Sequence, residues 1–397
     1  MCGIAGVFRY DGGPVDADSL AAMSAAVSHR GPDGLDQDIQ TVGSLQVGLG
    51  HARLRIIDLS AAASQPMVSD DGAVSVTFNG EIYNFRELRA RLQARGVRFR
   101  TASDTEVILR VYEAEGPDAI TSLDGMFAFA LWDAHRRMLL LARDRVGKKP
   151  LFYASGPGWL VFASEIKALM RWPELAVEVD PGALPAFFLY GYVPTPATPY
   201  RGIRQLPPGH CLSVDGTGAT RLWGYWELPP AGPPPAEGDA TGRVRELVTD
   251  AVRRRLVADV PLGAFLSGGI DSTIVVGVMS QLMGTPVRTF SIGFAGDPRF
   301  DERRYARLAA RHFGTEHTEF VVEPSAVDLV DRLVYHHDGP FADSSAVPTY
   351  LLSRLTRQHV TVALNGDGGD ELFAGYLRFY AALLAERVPA GLRRAAR

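Results

Sequence analysis

The chain has 397 residues, of which 46% are hydrophobic and 22% charged, and carries a net charge of −4. That length makes two domains the default and the composition is that of a globular protein, while the mild negative charge provides no field for nucleic acid or an anionic membrane. Two cysteines, Cys2 and Cys211, exclude a disulfide framework or zinc knuckle and fit a reducing cytoplasm; no apolar run has bilayer-spanning length, and no signal peptide is expected. In chain order, residues 4–9, 45–54, 74–78, 127–132, 138–142 and 159–163 read as short strands bounded by turns. Helical patterns at 85–95 and 105–115 place Leu88 with Leu92, and Val107, Ile108, Val111 with Tyr112, on single faces. Strands with few βαβ alternations point to sheet packed on sheet with helices outside. The proline-rich stretch 229–238 reads as a linker, dividing domains at 1–228 and 239–397. The second half alternates: helix 241–257, strand 263–266, helix 272–283, strand 287–294, helix 302–313 with Asp301 as N-cap, strand 317–322, helices at 325–337 and 345–357, strand 360–364. This rhythm predicts a doubly wound parallel sheet with ligands at the carboxyl ends of its strands.

Cys2 follows Met1 in Met1-Cys2-Gly3-Ile4-Ala5-Gly6. Loss of Met1 would put a thiol and an α-amine on one residue, and such an amine, with a pKa of about 7.7–8, is partly unprotonated near neutrality. One residue would then carry nucleophile and base. A terminal cysteine taken alone is more often an incidental part of a frayed end. Arg53 closes a strand and offers a planar fork for a carboxylate, or a plain surface ion pair. Phe78-Asn79-Gly80-Glu81-Ile82-Tyr83-Asn84 reads as a strand running into an Asn-Gly turn. Asn79 amide and Gly80 N–H would suit an oxyanion. Ser103-Asp104 opens a helix; either residue can cap it, and Asp104 can hold an ammonium. Together these pieces make a site for an α-amino acid whose side-chain acyl group is cleaved.

Met1-Cys2-Gly3-Ile4-Ala5-Gly6, His29-Arg30-Gly31-Pro32-Asp33, Gly50-His51-Ala52-Arg53-Leu54, Gln65-Pro66-Met67, the 78–84 run and Ser103-Asp104-Thr105-Glu106 resemble the class II glutamine amidotransferase domain. Ala142-Arg143-Asp144-Arg145, Lys149-Pro150-Leu151 and Ala163-Ser164-Glu165-Ile166-Lys167 resemble that domain as found in glutamine-dependent asparagine synthetases. The resemblance implies an N-terminal-nucleophile α/β/β/α sandwich. In it Cys2 hydrolyses the side-chain amide of glutamine through a γ-glutamyl thioester and releases ammonia. It also implies a glutamine site made of Arg53, Leu54, Arg55, Ile56, Ile57, Asn79, Gly80, Glu81 and Asp104.

In the second half, Leu266-Ser267-Gly268-Gly269-Ile270-Asp271-Ser272 joins a strand to a helix. Small residues there expose N–H groups at a helix N-terminus, a nest for pyrophosphate, and Asp271 offers a hard oxygen to Mg²⁺. The kinase-type Gly-x-x-x-x-Gly-Lys-Ser/Thr loop is absent. Asn365-Gly366-Asp367-Gly368-Gly369-Asp370-Glu371 crowds carboxylates that a cation would relieve; a solvated acidic turn is the plain alternative. Both runs resemble the ATP-pyrophosphatase domain of the same synthetases. The resemblance implies ATP contacts from Leu266, Ser267, Gly268, Gly269, Asp271, Ser272, Ile292, Asn365 and Gly366, an adenylate-forming site at Asp367, and Mg²⁺ on Asp271 and Asp370. The family commonly has Ser at the position of Asn365, varies between Glu and Asp at that of Asp367, and more often reads Asp-Glu-Pro where this chain has Asp338-Gly339-Pro340. His336-His337 reads as a helix end, since adjacent helical side chains point apart, and Cys211 as a small core residue.

The expected function is that of a glutamine-hydrolysing asparagine synthetase, a ligase using glutamine, aspartate and ATP with Mg²⁺. The alternatives are an amidotransferase of the same architecture acting on another carboxylate, a lactam-forming synthetase, and a non-synthetic glutaminase or regulatory subunit. No nucleic acid or membrane partner is expected, and a homodimer is compatible with the reading. Family members continue well past Tyr376 and carry a lysine near the adenylate in that tail. An incomplete second domain is therefore expected here, with glutaminase activity kept and little amide product formed.

Overall fold

Strand Gly3–Arg9 buries both of its faces, Ile4 and Phe8 on one side, Ala5 and Val7 on the other. It lies inside an antiparallel sheet ordered Arg204–Gln205, Phe152–Gly156, Trp159–Ala163, Gly3–Arg9, Leu45–Arg53, Gly34–Val42. A second antiparallel sheet runs Thr220–Gly224, His210–Asp215, Met138–Arg143, Gly125–Asp133, Val74–Ile82, Met67–Val68. Between them Ile4, Phe8, Leu49 and Phe162 of the first sheet meet Trp132, Leu139, Leu141 and Leu212 of the second. Each such side chain contributes about 1.5–3 kcal/mol by leaving water. Met23 of helix Ala17–Ala26, with Ala168 and Leu169 of Ile166–Leu169, covers the outer face of the first sheet. Helix Asp104–Glu115 packs on Val74–Ile82, and helix Phe85–Ala94 packs on it in turn. The layers are α/β/β/α, as the resemblance implies.

This is a computed structural model that describes residues 1–230, 232, 240–294, 301–322 and 327–388. Most of the expected linker at 229–238 and the last residues of the chain lie outside them. The chain divides into two units, Met1–Pro234 with Val327–Ser344, and Pro235–Ala326 with Ser345–Arg397. Segment Val327–Ser344 thus packs with the first unit, although it sits in the second half of the sequence. Asp338 is one of its anchors: its carboxylate accepts the Ile166 N–H at 2.6 Å and pairs with Lys167 Nζ at 2.8 Å, while the Ala342 N–H donates to the Gly191 carbonyl at 2.9 Å.

The turn expected at Asn79-Gly80 does not form. Strand Val74–Ile82 runs through both residues and pairs Asn79 with Ala128 and Gly80 with Phe127. Glycine is needed at position 80 for close approach, since a β-carbon there would lie 2.1 Å from the Met126 carbonyl oxygen.

The second unit holds a four-stranded parallel sheet ordered Glu316–Val322, Arg288–Phe294, Leu262–Phe265, Val362–Leu364. Helices Ile270–Leu282 and Arg303–Phe313 bury Val276, Met279, Ala306 and Ala310 against Ala264 and Leu364. Glu302, not Asp301 as expected, is the N-cap of the second of these helices; Asp301 lies one residue earlier, and its carboxylate accepts the Arg303 N–H at 3.1 Å. Strand Leu262–Phe265 has its successor on one side and Val362–Leu364 on the other. The strand order reverses there, which makes the carboxyl end of that pair the switch point where open α/β sheets bind ligands. Among the described residues no helix is long and apolar enough to cross a membrane.

Candidate active site

Cys2 immediately precedes the central strand of the first sheet, and its half-buried sulfur sits against the end of the neighbouring strand. Leu54 N–H donates to Sγ at 3.3 Å, and the thiol donates to the Leu54 carbonyl at 3.6 Å. Burial pushes the thiol above its usual range, and the Leu54 N–H opposes that by favouring the thiolate. The Met1 amino group is also buried, which lowers it from 8.0 to about 5.

Opposite Cys2 lies the far edge of strand Val74–Ile82. Met67–Val68 pairs with that edge only at Val76 and Ser75. Beyond Val76, side chains take over the ladder. Gln65 Oε1 accepts the Phe78 N–H at 2.7 Å, and Asp104 Oδ2 accepts the Ile82 N–H at 3.0 Å. His51 Nε2 meets the Phe78 carbonyl at 3.2 Å; burial holds this imidazole down to about 3, so it is neutral and donates from Nε2. Backbone N–H groups alternate along a strand, so the Gly80 N–H faces the same edge as those of Phe78 and Ile82. Asn79 is fully buried, and neither its Oδ1 nor its Nδ2 has a partner. Buried amides are normally satisfied, and this one has no partner within the protein, which leaves both of its ends available to a molecule in the cleft.

Ser103, not Asp104, caps helix Asp104–Glu115, with its Oγ accepting the Thr105 N–H at 3.1 Å. Asp104 is the first helical residue and points its carboxylate inward, where burial raises it from 3.8 to about 6. Arg53 is buried as well. Its Nη2 donates to the Asp58 carbonyl at 2.7 Å and its Nη1 to the Ser60 carbonyl at 2.9 Å, so its fork shapes the loop that follows it. Asp58 Oδ2 then accepts the Ala102 N–H at 2.7 Å, tying this loop to the approach of the Asp104 helix.

One cleft, with about 540 Å³ of empty volume counting its open mouth, gathers all of these groups. Cys2, Arg53, Leu54, Arg55, Ile56 and Ile57 form one wall; Asn79, Gly80, Glu81 and Asp104 form the other. Every residue expected in the glutamine site therefore faces a single space. Such a space can hold a zwitterion by its charged ends and present its side-chain carbonyl to a thiol beside two N–H donors.

In the second unit the two glycine-rich loops leave the ends of Leu262–Phe265 and Val362–Leu364, at the switch point. Gly269 N–H donates to Ser267 Oγ at 3.1 Å, and Ser267 Oγ meets Ser272 Oγ at 2.9 Å. Gly268 has φ +83°, which favours glycine. The loops touch at Asp271: a β-carbon on Gly366 would lie 2.8 Å from Asp271 Cβ, and one on Gly369 would lie 2.4 Å from Asp271 Cγ. Asp370 is the next residue. Asn365 Nδ2 donates to Asp367 Oδ2 at 2.5 Å. Leu266 and Ile292 end and cross the adjacent strands, but the Leu266 side chain is buried in the core, so only its backbone is left to line a site.

A glutamine amidotransferase domain profile matches residues 1–226, and an asparagine synthase profile matches residues 243–397. The chain is 36% identical over 396 residues to a putative glutamine-hydrolyzing asparagine synthetase 2 of Methanocaldococcus jannaschii, a match covering 95% of this chain and 76% of that protein. The chain belongs to the glutamine-hydrolysing asparagine synthetase family. A glutamine-hydrolyzing asparagine synthetase 1 of Bacillus subtilis is 36% identical, over 99% of this chain and 62% of that one. Amidase chyE of Penicillium rubens is 33% identical, over 93% of this chain and 56% of that one. The chain thus spans less than two thirds of the length of these last two relatives.

For a member of this family, the expected site leaves out several residues that line the cleft, among them Gln65, Met126, Lys149 and Met1. Lys149 is buried and its amine is held down to about 8. Gln65 and Lys149 both precede prolines in motifs noted in the sequence, and that was the signal available. Cys211 is fully buried in the core, as expected of it.

Proposed function

We propose that the first unit cleaves glutamine at Cys2 and that the second activates a carboxylate, with aspartate as acceptor, by means of ATP. The cleft carries this reading: a thiol, an unpartnered buried amide, a buried carboxylate and a buried guanidinium converge from separate elements. With Met1 removed, the Cys2 α-amine becomes the base. Burial lowers the Met1 amino group at this end of the chain, and the same desolvation favours the neutral form of a Cys2 amine that takes the thiol proton. The sulfur attacks the side-chain carbonyl of glutamine while Asn79 Nδ2 and the Gly80 N–H receive the oxyanion. The amine hands its proton to the departing ammonia, and water then cleaves the thioester to glutamate. Asp104 holds the substrate ammonium, and Arg53 with Arg55 supplies positive potential for its carboxylate.

In the second unit Ser267, Gly268, Gly269 and Ser272 cradle phosphate, Asn365 and Gly366 border the nucleotide, and Asp367 lies at the adenylate. Asp271 and Asp370 fit Mg²⁺, being hard oxygen donors on two loops that touch at Asp271. Mg²⁺, when bound, offsets the charge that develops on pyrophosphate. The acceptor carboxylate displaces pyrophosphate from ATP, ammonia attacks the acyl carbon, and AMP leaves.

A second reading, in which the acceptor is a carboxylate other than aspartate, draws on Asn365, which stands where the family commonly has Ser and donates to Asp367 at the adenylate. Mass spectrometry of products from glutamine, ATP, Mg²⁺ and a panel of carboxylates separates the two. Amide formed only with aspartate supports the first; amide formed only with another acid supports the second. No glutamate release at all would reject the glutaminase itself.

A further inference from the structure

The corner at 164–167 has no part in the reaction proposed above, yet it grips the nucleophile from behind. Ser164 Oγ accepts the Ile4 N–H at 3.0 Å, and the Ser164 N–H donates to the Ile4 carbonyl at 2.9 Å. Glu165 is buried, and its Oε1 accepts from Arg30 Nη1 at 2.7 Å. Arg30 Nε in turn donates to the Cys2 carbonyl at 3.0 Å. Lys167 pairs with the other oxygen of Glu165 and, at 2.8 Å, with Asp338 Oδ1. Asp338 follows helix Val327–His337 at φ +59°, a left-handed conformation that aspartate tolerates better than most side chains. That turn brings its carboxylate to Ile166 N and Lys167.

His29, Glu165 and His336 also lie within metal-ligand reach of one another, their donor atoms within 4.8 Å. The Glu165 carboxylate already carries Arg30 and Lys167, and a dication would meet both cations in a poorly screened site. The cluster is better described as an ion-pair junction.

We infer that Glu165 is a positioning residue for the Cys2 nucleophile, acting through Arg30, and that Asp338 tunes it through Lys167. The inference rests on the glutaminase reading above. Holding the Cys2 carbonyl fixes the backbone of that residue, and with it the direction of the thiol and of the α-amine. With Asp338 present, Lys167 is shared between two carboxylates. Without it, Lys167 acts on Glu165 alone and draws that carboxylate away from Arg30. The Val327–Ser344 segment leads by sequence into the second unit at both ends. Its seating on the first unit therefore sets how well the thiol is aimed.

The test uses the 397-residue chain and two readouts: glutamine hydrolysis, and the rate at which an electrophilic glutamine analogue alkylates Cys2. Glu165→Gln lowers kcat by about tenfold or more with KM changed less than about threefold, and slows alkylation in step, while thermal unfolding stays cooperative. Asp338→Asn lowers the same rates, Lys167→Met, which leaves Glu165 to Arg30, does not, and Asp338→Asn has no further effect in an Arg30→Met background, a coupling of at least about threefold. An unchanged kcat in Glu165→Gln overturns the inference. So do Arg30→Met and Asp338→Asn effects that simply multiply. Should Glu165→Gln fail to fold, the cycle between Arg30 and Asp338 decides. A parent chain that alkylates but never releases glutamate sinks the glutaminase reading instead, and the alkylation rates still judge the positioning.

Discussion

Leu54 offers the sulfur of Cys2 both of its peptide groups, the N–H at 3.3 Å and the carbonyl at 3.6 Å. The carbonyl favours the thiol and the N–H favours the thiolate, so the resting proton has a defined place and the anion a waiting donor. Cys2→Ser keeps this frame but substitutes a poorer nucleophile. Glutamate release falls by at least about a thousandfold, with far-UV circular dichroism and unfolding temperature unchanged. A Cys2→Ala chain that still released glutamate at the parent rate would exclude the thiol.

Asn79 costs stability where it stands. Each buried polar group without a partner costs about 1–3 kcal/mol, and both ends of this amide are unsatisfied. Asn79→Leu, similar in volume, is expected to match or exceed the parent in denaturant midpoint while kcat drops about 10²–10³-fold. A denaturant unfolding curve and a glutaminase assay on one preparation check the pair of effects. A variant both less stable and fully active would contradict the role.

Asp104 gives the site a pH dependence with a definite sign. Unfolded, the carboxyl ionises near 3.8; folded, burial delays this to about 6. The folded chain thus binds the proton more tightly, and stability is lost as pH rises from about 4 to 6, by on the order of 3 kcal/mol, and is level above. Asp104→Asn is therefore more stable at pH 7. It also loses the partner of the substrate ammonium, and KM for glutamine rises by at least about thirtyfold. In the parent, KM rises as pH falls through about 6. A KM that stays flat across that range would rule out Asp104 as the ammonium partner.

In the second unit Gly369→Ala puts a methyl group where the Asp271 carboxyl now lies, 2.4 Å from Cγ. Asp271 must turn away. Pyrophosphate release falls by more than about tenfold, while glutamine hydrolysis without ATP stays within about twofold. Equal loss of both activities would mean that the substitution acts through the fold rather than through Asp271.

The fold was most legible where local pattern decides it. Strands 4–9, 138–142 and 159–163, and the helix–strand rhythm of the second half, fall within a few residues of their observed bounds. Strand Gly34–Val42 was not seen because it lies at a sheet edge with none of its residues buried, so no apolar alternation announces it. Helix Ala17–Ala26 was missed despite a readable cap, Asp16 Oδ2 accepting the Ser19 N–H at 2.9 Å. Asn79-Gly80 looked like a turn because that pair usually is one; pairing with Ala128 and Phe127 overrides the local preference. The attachment of Val327–Ser344 to the first unit rests on contacts some 170 positions apart, Asp338 to Ile166 and Lys167, which no window of sequence contains.

The unpaired edge of strand Val74–Ile82 has a consequence for handling this protein. An open ladder of N–H and C=O groups is a template on which a foreign chain can add itself, and here Gln65, His51 and Asp104 occupy it. Truncating any of the three strips a gatekeeper. Such variants invite self-association and fibre-like aggregates, so a silent assay should be accompanied by light scattering before the lost turnover is charged to chemistry.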